Sequence, residues 1–433
     1  MKPLLIAGAR VIDPSRGTDG LADVLVEDGR IAAIGHNITV EDGVRRIDAR
    51  GKVVAPGFVD LHVHFREPGQ EHMETIASGA TSAVAGGFTA VCAMPNTDPV
   101  IDNQAAVGFV VRQAIRAGKA RVHPIGCISV GQKGQQLAEF GEMIGAGAVA
   151  VSDDGRPVVS SQLMRTALEY AKTFGIPVAD HCEDSTLSHG GAMHEGIVAT
   201  RLGLKGIPAA AEEILVARDL ILAGLTGGHL HLCHLSTRGS VDLVRRAKDQ
   251  GVNVTAEATP HHFSLTHESC EGYQTNAKMR PPLREAADRE AIRIGLKTGV
   301  IDCIATDHAP HHYDTKQREF DEAPNGIVGL ETALGLGIRE LVEPGLLSLP
   351  ELMARMSTVP ARIFHLSGGT LAVGATADLV IFDPARRWVV RASDLHSKSA
   401  NSPFLAQELV GQTDLTVVGG RVAFERGVGG FDG

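Results

Sequence analysis

Aromatic side chains are scarce in this sequence: one Trp, three Tyr and thirteen Phe make up 4% of 433 positions. A core must therefore come from Ala, Val, Ile and Leu, and fifty glycines supply the tight turns that such packing needs. Basic runs are missing and the net charge is −10, which excludes a general nucleic-acid binder. No apolar stretch reaches the roughly 18–20 residues that span a bilayer, so no membrane partner is expected. The opening segment Met1–Arg10 has a short apolar run that soon meets Arg10 and Asp13, and it reads as a strand rather than a signal peptide. None of the six cysteines forms a CxxC pair. Reduced core thiols in a cytoplasmic protein are the expectation.

What is present is a regular alternation. Apolar strands are expected at 57–64, 89–94, 121–128, 148–152, 177–181, 229–235, 253–258 and 302–306, with helical stretches such as 161–174, 209–224 and 238–250 between them. Eight such units predict an α/β fold, a (β/α)8 TIM barrel. A doubly wound sheet is the alternative, but no Gly-rich phosphate fingerprint supports it. Residues 4–55 instead read as short strands broken by Gly, Asp and Pro, and the tail has the same texture, ending in a hairpin around Gly419-Gly420. A small β-sandwich built from both termini (1–55 and 367–433) around a barrel (56–366) follows.

Metal-competent residues collect where the barrel strands end. Asp60-Leu61-His62-Val63-His64 ends the first strand, Ser152-Asp153-Asp154 the fourth, Asp180-His181 the fifth, Cys233-His234 the sixth and Thr306-Asp307-His308 the eighth. In this architecture catalytic groups sit at that end. A His-x-His pair alone carries little weight, because 19 histidines in 433 residues supply about one by chance. His229-Leu230-His231 reads as that chance pair, with alternation placing it on the face opposite His234. His62 and His64 differ because ligand types recur at other strand ends. Four His and two Asp suit zinc, with manganese or cobalt as substitutes, and six ligands exceed one tetrahedral site. Two metals sharing a carboxylate fit that count; one metal with spare neighbouring groups is the alternative. Alternation does not choose between Asp153 and Asp154.

The motifs together resemble the amidohydrolase superfamily and, within it, the dihydroorotase family. They are Gly57-Phe58-Val59-Asp60-Leu61-His62-Val63-His64-Phe65-Arg66-Glu67-Pro68-Gly69, Ala93-Met94-Pro95-Asn96-Thr97, Ser152-Asp153-Asp154-Gly155 and His181-Cys182-Glu183. Then come His234-Leu235-Ser236-Thr237, Pro281-Pro282-Leu283-Arg284, Ala305-Thr306-Asp307-His308-Ala309-Pro310-His311 and Ala377-Asp378-Leu379-Val380. The resemblance implies two zinc ions per chain. His62, His64 and Asp307 would hold the more buried one, and His181 and His234 the other. Many relatives bridge the ions with a carbamylated lysine; 148–157 contains no Lys, and the family match puts Asp154 at the bridge.

The resemblance further implies interconversion of dihydroorotate and N-carbamoyl-L-aspartate, by attack of a metal-bridging hydroxide with Asp307 as proton shuttle. Arg66, Asn96 and His311 match positions that hold the substrate carboxylate. Two departures stand out. Arg280 replaces a substrate-contacting Asn before Pro-Pro-Leu-Arg, and Asn325-Gly326 replaces Phe-Gly in the loop after the eighth strand, itself a substrate-side position. The polar run 312–324 reads as a mobile lid. A homodimer and an aspartate carbamoyltransferase partner stay open. So do the rival readings: a hydantoinase, dihydropyrimidinase or allantoinase; a non-catalytic scaffold for the carbamoyltransferase; a metal-storage protein.

Overall fold

A computed structural model describes residues 3–41 and 43–427, so Met1 and Lys2 of the opening segment lie outside it. Parallel segments close into a ring. The first barrel strand, Phe58–Val63, pairs with Phe88–Ala93, which pairs with Arg121–Pro124. Single bridges from Val151 to Gly126 and to Val178 carry the ring across its fourth segment. It continues through Val178–Asp180, Leu230–Leu232, Val254–Ala258 and Cys303–Ile304. A Val63–His308 bridge closes it. All eight expected strands are represented, but the fourth keeps its ladder only at Val151. Beyond Ser152, whose N–H donates to the Gly126 carbonyl, the chain leaves the wall and carries Asp154 inward.

The ring is a packed core, not a pore. Val59, Leu61, Ala90, Cys92, Ile125, Ala150, Ala179 and Cys303 fill it with small and branched side chains, as the shortage of aromatics requires. Three outer helices are Ser161–Phe174, Ala210–Thr226 and Arg238–Asp249, close to expectation. The first of these buries Met164, Ala167, Leu168 and Ala171, an i, i+3, i+4, i+7 stripe. Ser160 caps its start, and Gly175 ends it at φ 65°. Among the described residues no helix is long and apolar enough to cross a membrane. All six cysteines are buried and free of disulfides.

Both ends of the chain build one sheet. Its order is Arg421–Glu425, Glu408–Val418, Leu379–Val389, Val53–Pro56, Leu4–Asp13, Thr18–Glu27, Arg30–Gly35, with Arg45–Asp48 pairing off Leu4–Asp13. The expected hairpin turns at Gly419 and Gly420, both at positive φ, as a two-residue turn with native twist demands. Side chains alternate. Val54, Leu379 and Ile381 join the sheet's own apolar cluster, while Val53, Ala55, Val380 and Phe382 pack into the barrel's.

Candidate metal centre

The strand ends bring six predicted ligands together. Asp154 sits at the middle: its Oδ1 lies 3.5 Å from His62 Nε2, His181 Nδ1 and His234 Nε2, and its Oδ2 lies 3.5 Å from His64 Nε2. Asp307 Oδ1 is 3.0 Å from His64 Nε2 and 3.5 Å from His62 Nε2. Asp153 turns away, accepting from the Ile128 and Ser129 N–H groups and the Ser129 hydroxyl. Geometry thus chooses between the adjacent aspartates where alternation could not. Unusual backbone accompanies the site: Arg66, His234 and Asp307 hold φ of 62°, 30° and 48°, a region L-residues seldom occupy.

Two of the four outer ring nitrogens are fixed as ligation requires. His62 Nδ1 donates to Glu257 at 2.8 Å and His64 Nδ1 to Asn96 Oδ1 at 2.9 Å, which leaves each Nε2 free as a donor atom. His62 Nε2 and Asp154 Oδ1 are buried and lack a hydrogen-bond partner among the described residues. Burial alone would neutralise His62, but Asp307, Asp154 and Glu257 outweigh it and raise its pKa well above the ordinary value. Burial likewise opposes ionisation of Asp154, yet His62, His181 and His234 hold its carboxyl well below the usual range. Such a cluster needs cationic charge at its centre, and a divalent ion supplies it through these same atoms once the protons leave. The donor groups His62–His64–Asp307 and His62–Asp154–His234 are each compact enough to hold one ion.

A cavity of about 690 Å³ opens over this cluster. Arg66, Asn96, Arg280, His311 and Asn325 line it beside His64, Asp154 and Asp307. Arg66 is buried, its Nε donating to the Pro310 carbonyl at 3.2 Å. Burial lowers its pKa to about 10, so it stays cationic at neutral pH. His311 Nε2 is 2.7 Å from the Asn325 carbonyl, and burial beside Arg66 pushes its pKa well below the ordinary value, leaving a neutral ring. Gly326 does not line the cavity. Its φ is 154°, and a Cβ there would lie 2.6 Å from the Ala309 carbonyl and the His311 ring, so its part is to let His311 pack closely.

One reading is corrected. His231, read as structural and on the opposite face, does not face away from the site. It donates to Glu257 at 3.1 Å, and Glu257 holds both His62 and the His234 N–H. Alternation failed because the strand stops at Leu232, so His234 stands beyond the pleat. The run 312–324, read as a lid, is tied down in this conformation: Lys316 donates to the Pro324 and Gly326 carbonyls, and Lys278 to those of Asp321 and Ala323. Sequence reasoning missed Glu257, although a lone carboxylate inside the apolar strand Val254–Ala258 was a signal. It also missed Lys133 and Arg156, which line the cavity and look in sequence like any surface cation. A second histidine pair, His194 and His267, is not poised for an ion: Arg284 donates to His194 Nδ1.

Comparisons with known proteins span nearly the whole chain. A family described as "Dihydro-orotase-like" matches residues 51–240, and the "Amidohydrolase family" matches 242–424. A dihydroorotase of Pelobacter propionicus is 53% identical over 423 residues, 98% of this chain and 100% of that one. The chain belongs to the dihydroorotase family. A dihydroorotase of Citrifermentans bemidjiense is 54% identical over 422 residues, covering 98% of this chain and 99% of its own. Among solved structures, the L-hydantoinase of Arthrobacter aurescens superposes with a TM-score of 0.88 at 28% identity, covering 99% of this chain and 97% of its own. Membership makes this dihydroorotase-family chain a hydrolase of the amidohydrolase type with a TIM-barrel fold.

Proposed function

We propose that the protein is a zinc-dependent dihydroorotase, interconverting dihydroorotate and N-carbamoyl-L-aspartate. The observation that carries this reading is the buried guanidinium of Arg66 in the same cavity as the His/Asp cluster. A ring bearing a carboxylate fits that pairing; a neutral ring leaves the cation alone.

His62, His64 and Asp307 would hold one ion and His181 and His234 the other, with Asp154 between them. Imidazole and carboxylate donors suit zinc. Bound ions of this kind polarise an amide carbonyl and make water acidic enough to attack near pH 7. The chain's own groups do the rest. Arg66 takes the substrate carboxylate, and its planar fork sets the ring's orientation. Asn96 spends its carbonyl on His64, which leaves its NH2 to donate to the same anion. Asp307, an anion held against His62 and His64, accepts the proton of the attacking water and returns it to the leaving nitrogen. Six buried, disulfide-free cysteines suit a reducing, cytoplasmic setting.

The test is substrate choice. Purified protein with its metal content measured should turn over dihydroorotate, and should act on dihydrouracil or hydantoin at least ~10³-fold less well in kcat/KM. Arg66→Met should raise KM for dihydroorotate steeply and shrink that preference. Wild-type protein that hydrolyses dihydrouracil as well as dihydroorotate would replace this reading with a dihydropyrimidinase.

A further inference from the structure

Arg280 is the departure whose purpose the sequence leaves open, and its contacts are specific. Its Nε donates to both oxygens of Glu183, at 3.0 and 2.7 Å, and its Nη2 to Glu183 Oε1 and to the Ser188 hydroxyl at 2.9 Å. Ser188 also donates to Glu183 Oε1, at 2.7 Å. The backbone under Arg280 is held as well, because His262 Nε2 donates to the Pro281 carbonyl at 3.0 Å while its Nδ1 meets the Thr259 hydroxyl. Glu183 itself is 5% exposed. A guanidinium placed to meet a substrate anion would keep its paired donors for the cavity. This one spends its Nε and Nη2 on a buried carboxylate and a hydroxyl, leaving only Nη1 toward the cavity it lines.

That carboxylate faces a candidate ligand. Glu183 Oε2 is 3.9 Å from His181 Nε2, and among the described residues no other carboxylate lies within 4 Å of that nitrogen. The opposite nitrogen, Nδ1, points to Asp154 at 3.5 Å and to His234 at 3.0 Å. A histidine that ligates through one nitrogen needs an acceptor for the proton on the other, and that acceptor sets both ring orientation and donor strength. His62 has Glu257 and His64 has Asn96 for this purpose, whereas His234 Nδ1 is buried without a partner among the described residues.

We propose that Glu183 and Arg280 are positioning residues for His181. Arg280 locks Glu183 so that its carboxylate faces the Nε2–H edge of the ring, 3.9 Å away, and favours the orientation that turns Nδ1 toward the Asp154 cluster. The inference rests on the metal-binding part of the function proposed above. It assigns Arg280 to the metal side of the cavity, not to the substrate anion.

Cobalt titration of metal-stripped protein, read by visible absorption, tests it without turnover. Wild type should take up two equivalents. Glu183→Ala and Arg280→Met should bind one of the two about 10–100-fold more weakly and keep the other. Glu183→Gln should stay within about threefold of wild type, because the amide oxygen still accepts the Nε2–H. Melting temperature identifies any variant that fails to fold; should Glu183→Ala be one, Arg280→Met and Glu183→Gln still decide. Unchanged affinity for both equivalents in Arg280→Met overturns the proposal. So does an Arg280→Met enzyme with wild-type metal affinity and a raised KM for dihydroorotate, since its guanidinium would then be a substrate contact. Wild type that binds two cobalt equivalents but ignores dihydroorotate would sink the dihydroorotase reading alone.

Discussion

Asp154 and Asp307 are the same side chain set against two of the same histidines, yet their neighbourhoods give them different tasks. Asp154 contacts four rings, so removing it leaves four imidazoles without a common counter-charge. Asp307 contacts two and keeps a face on the cavity. Asp307→Asn should therefore keep most of its metal, since the amide oxygen still ligates, while kcat falls by on the order of 10²–10⁴ because an amide cannot carry the proton. Turnover within about twofold of wild type would move the proton-carrying role to another group. Five of the six candidate ligands were legible because metal-competent side chains recur at strand ends, where a barrel puts its chemistry; the choice of Asp154 over Asp153 rested on the family resemblance. Their supports were less so. Glu183 follows His181 by two positions and reads as an ordinary charge; only packing reveals that Arg280, 97 residues on, clamps it.

At the scale of an element, the segment after the eighth strand shows where composition misleads. His, Asp, Lys, Glu and Arg in a short run suggest a solvated flap, and the tip is exposed at Tyr313. Two lysines, 4% and 3% exposed, instead anchor it from beneath. Backbone carbonyls are their acceptors, and carbonyls leave no mark in a sequence. Burial pushes Lys316 down from an ordinary 10.5 to about 7, with Lys278 nearby adding to the effect. The sign of the consequence follows from proton counting. Between about pH 7 and 10.5 the unfolded chain holds the Lys316 proton and the folded chain does not, so folding releases it and this residue adds stability as pH rises. Urea unfolding of wild type and Lys316→Met across that window should show the wild type gaining on the variant, by on the order of a few kcal/mol in total. A gap that stays constant with pH would mean that Lys316 is charged in the folded protein throughout. The reduced fourth strand is a related lesson: Ala148–Ser152 has the composition of a full strand, but delivering Asp154 to the centre consumes its end.

Across the whole molecule, we propose that the layout is a terminal β unit (1–55 with 367–433) on a barrel (56–366), and that this division is not one of folding units. The two share a boundary strand: Val53–Pro56 belongs to the terminal sheet and runs through Gly57 directly into the first barrel strand. Gly57 has Thr89 side-chain atoms 2.1 to 2.7 Å from where a Cβ would stand, and its N–H donates to the Asp378 carbonyl, so the junction is tightly packed. Arg121 of the third barrel strand pairs with Asp378, and Thr416 of the sheet donates to Val84 of a barrel helix. Ile12, Val53, Ala55, Val380, Phe382 and Leu409 bury their side chains in one cluster with Ala83, Val84 and Phe88. Each such side chain is worth up to ≈1.5–3 kcal/mol of burial, so exposing that face would cost an amount comparable to the 5–15 kcal/mol net stability of a typical domain. Neither part should stand without the other. The single Trp makes this testable in the intact chain. Trp388 lies in the terminal sheet, its indole N–H donating to the Gly411 carbonyl, so its fluorescence reports that sheet, whereas far-UV circular dichroism at 222 nm reports mainly the barrel's helices. In urea the two signals should change together, with one midpoint and one slope. Two separated midpoints, the fluorescence moving first, would show that the terminal sheet melts from a barrel able to persist alone.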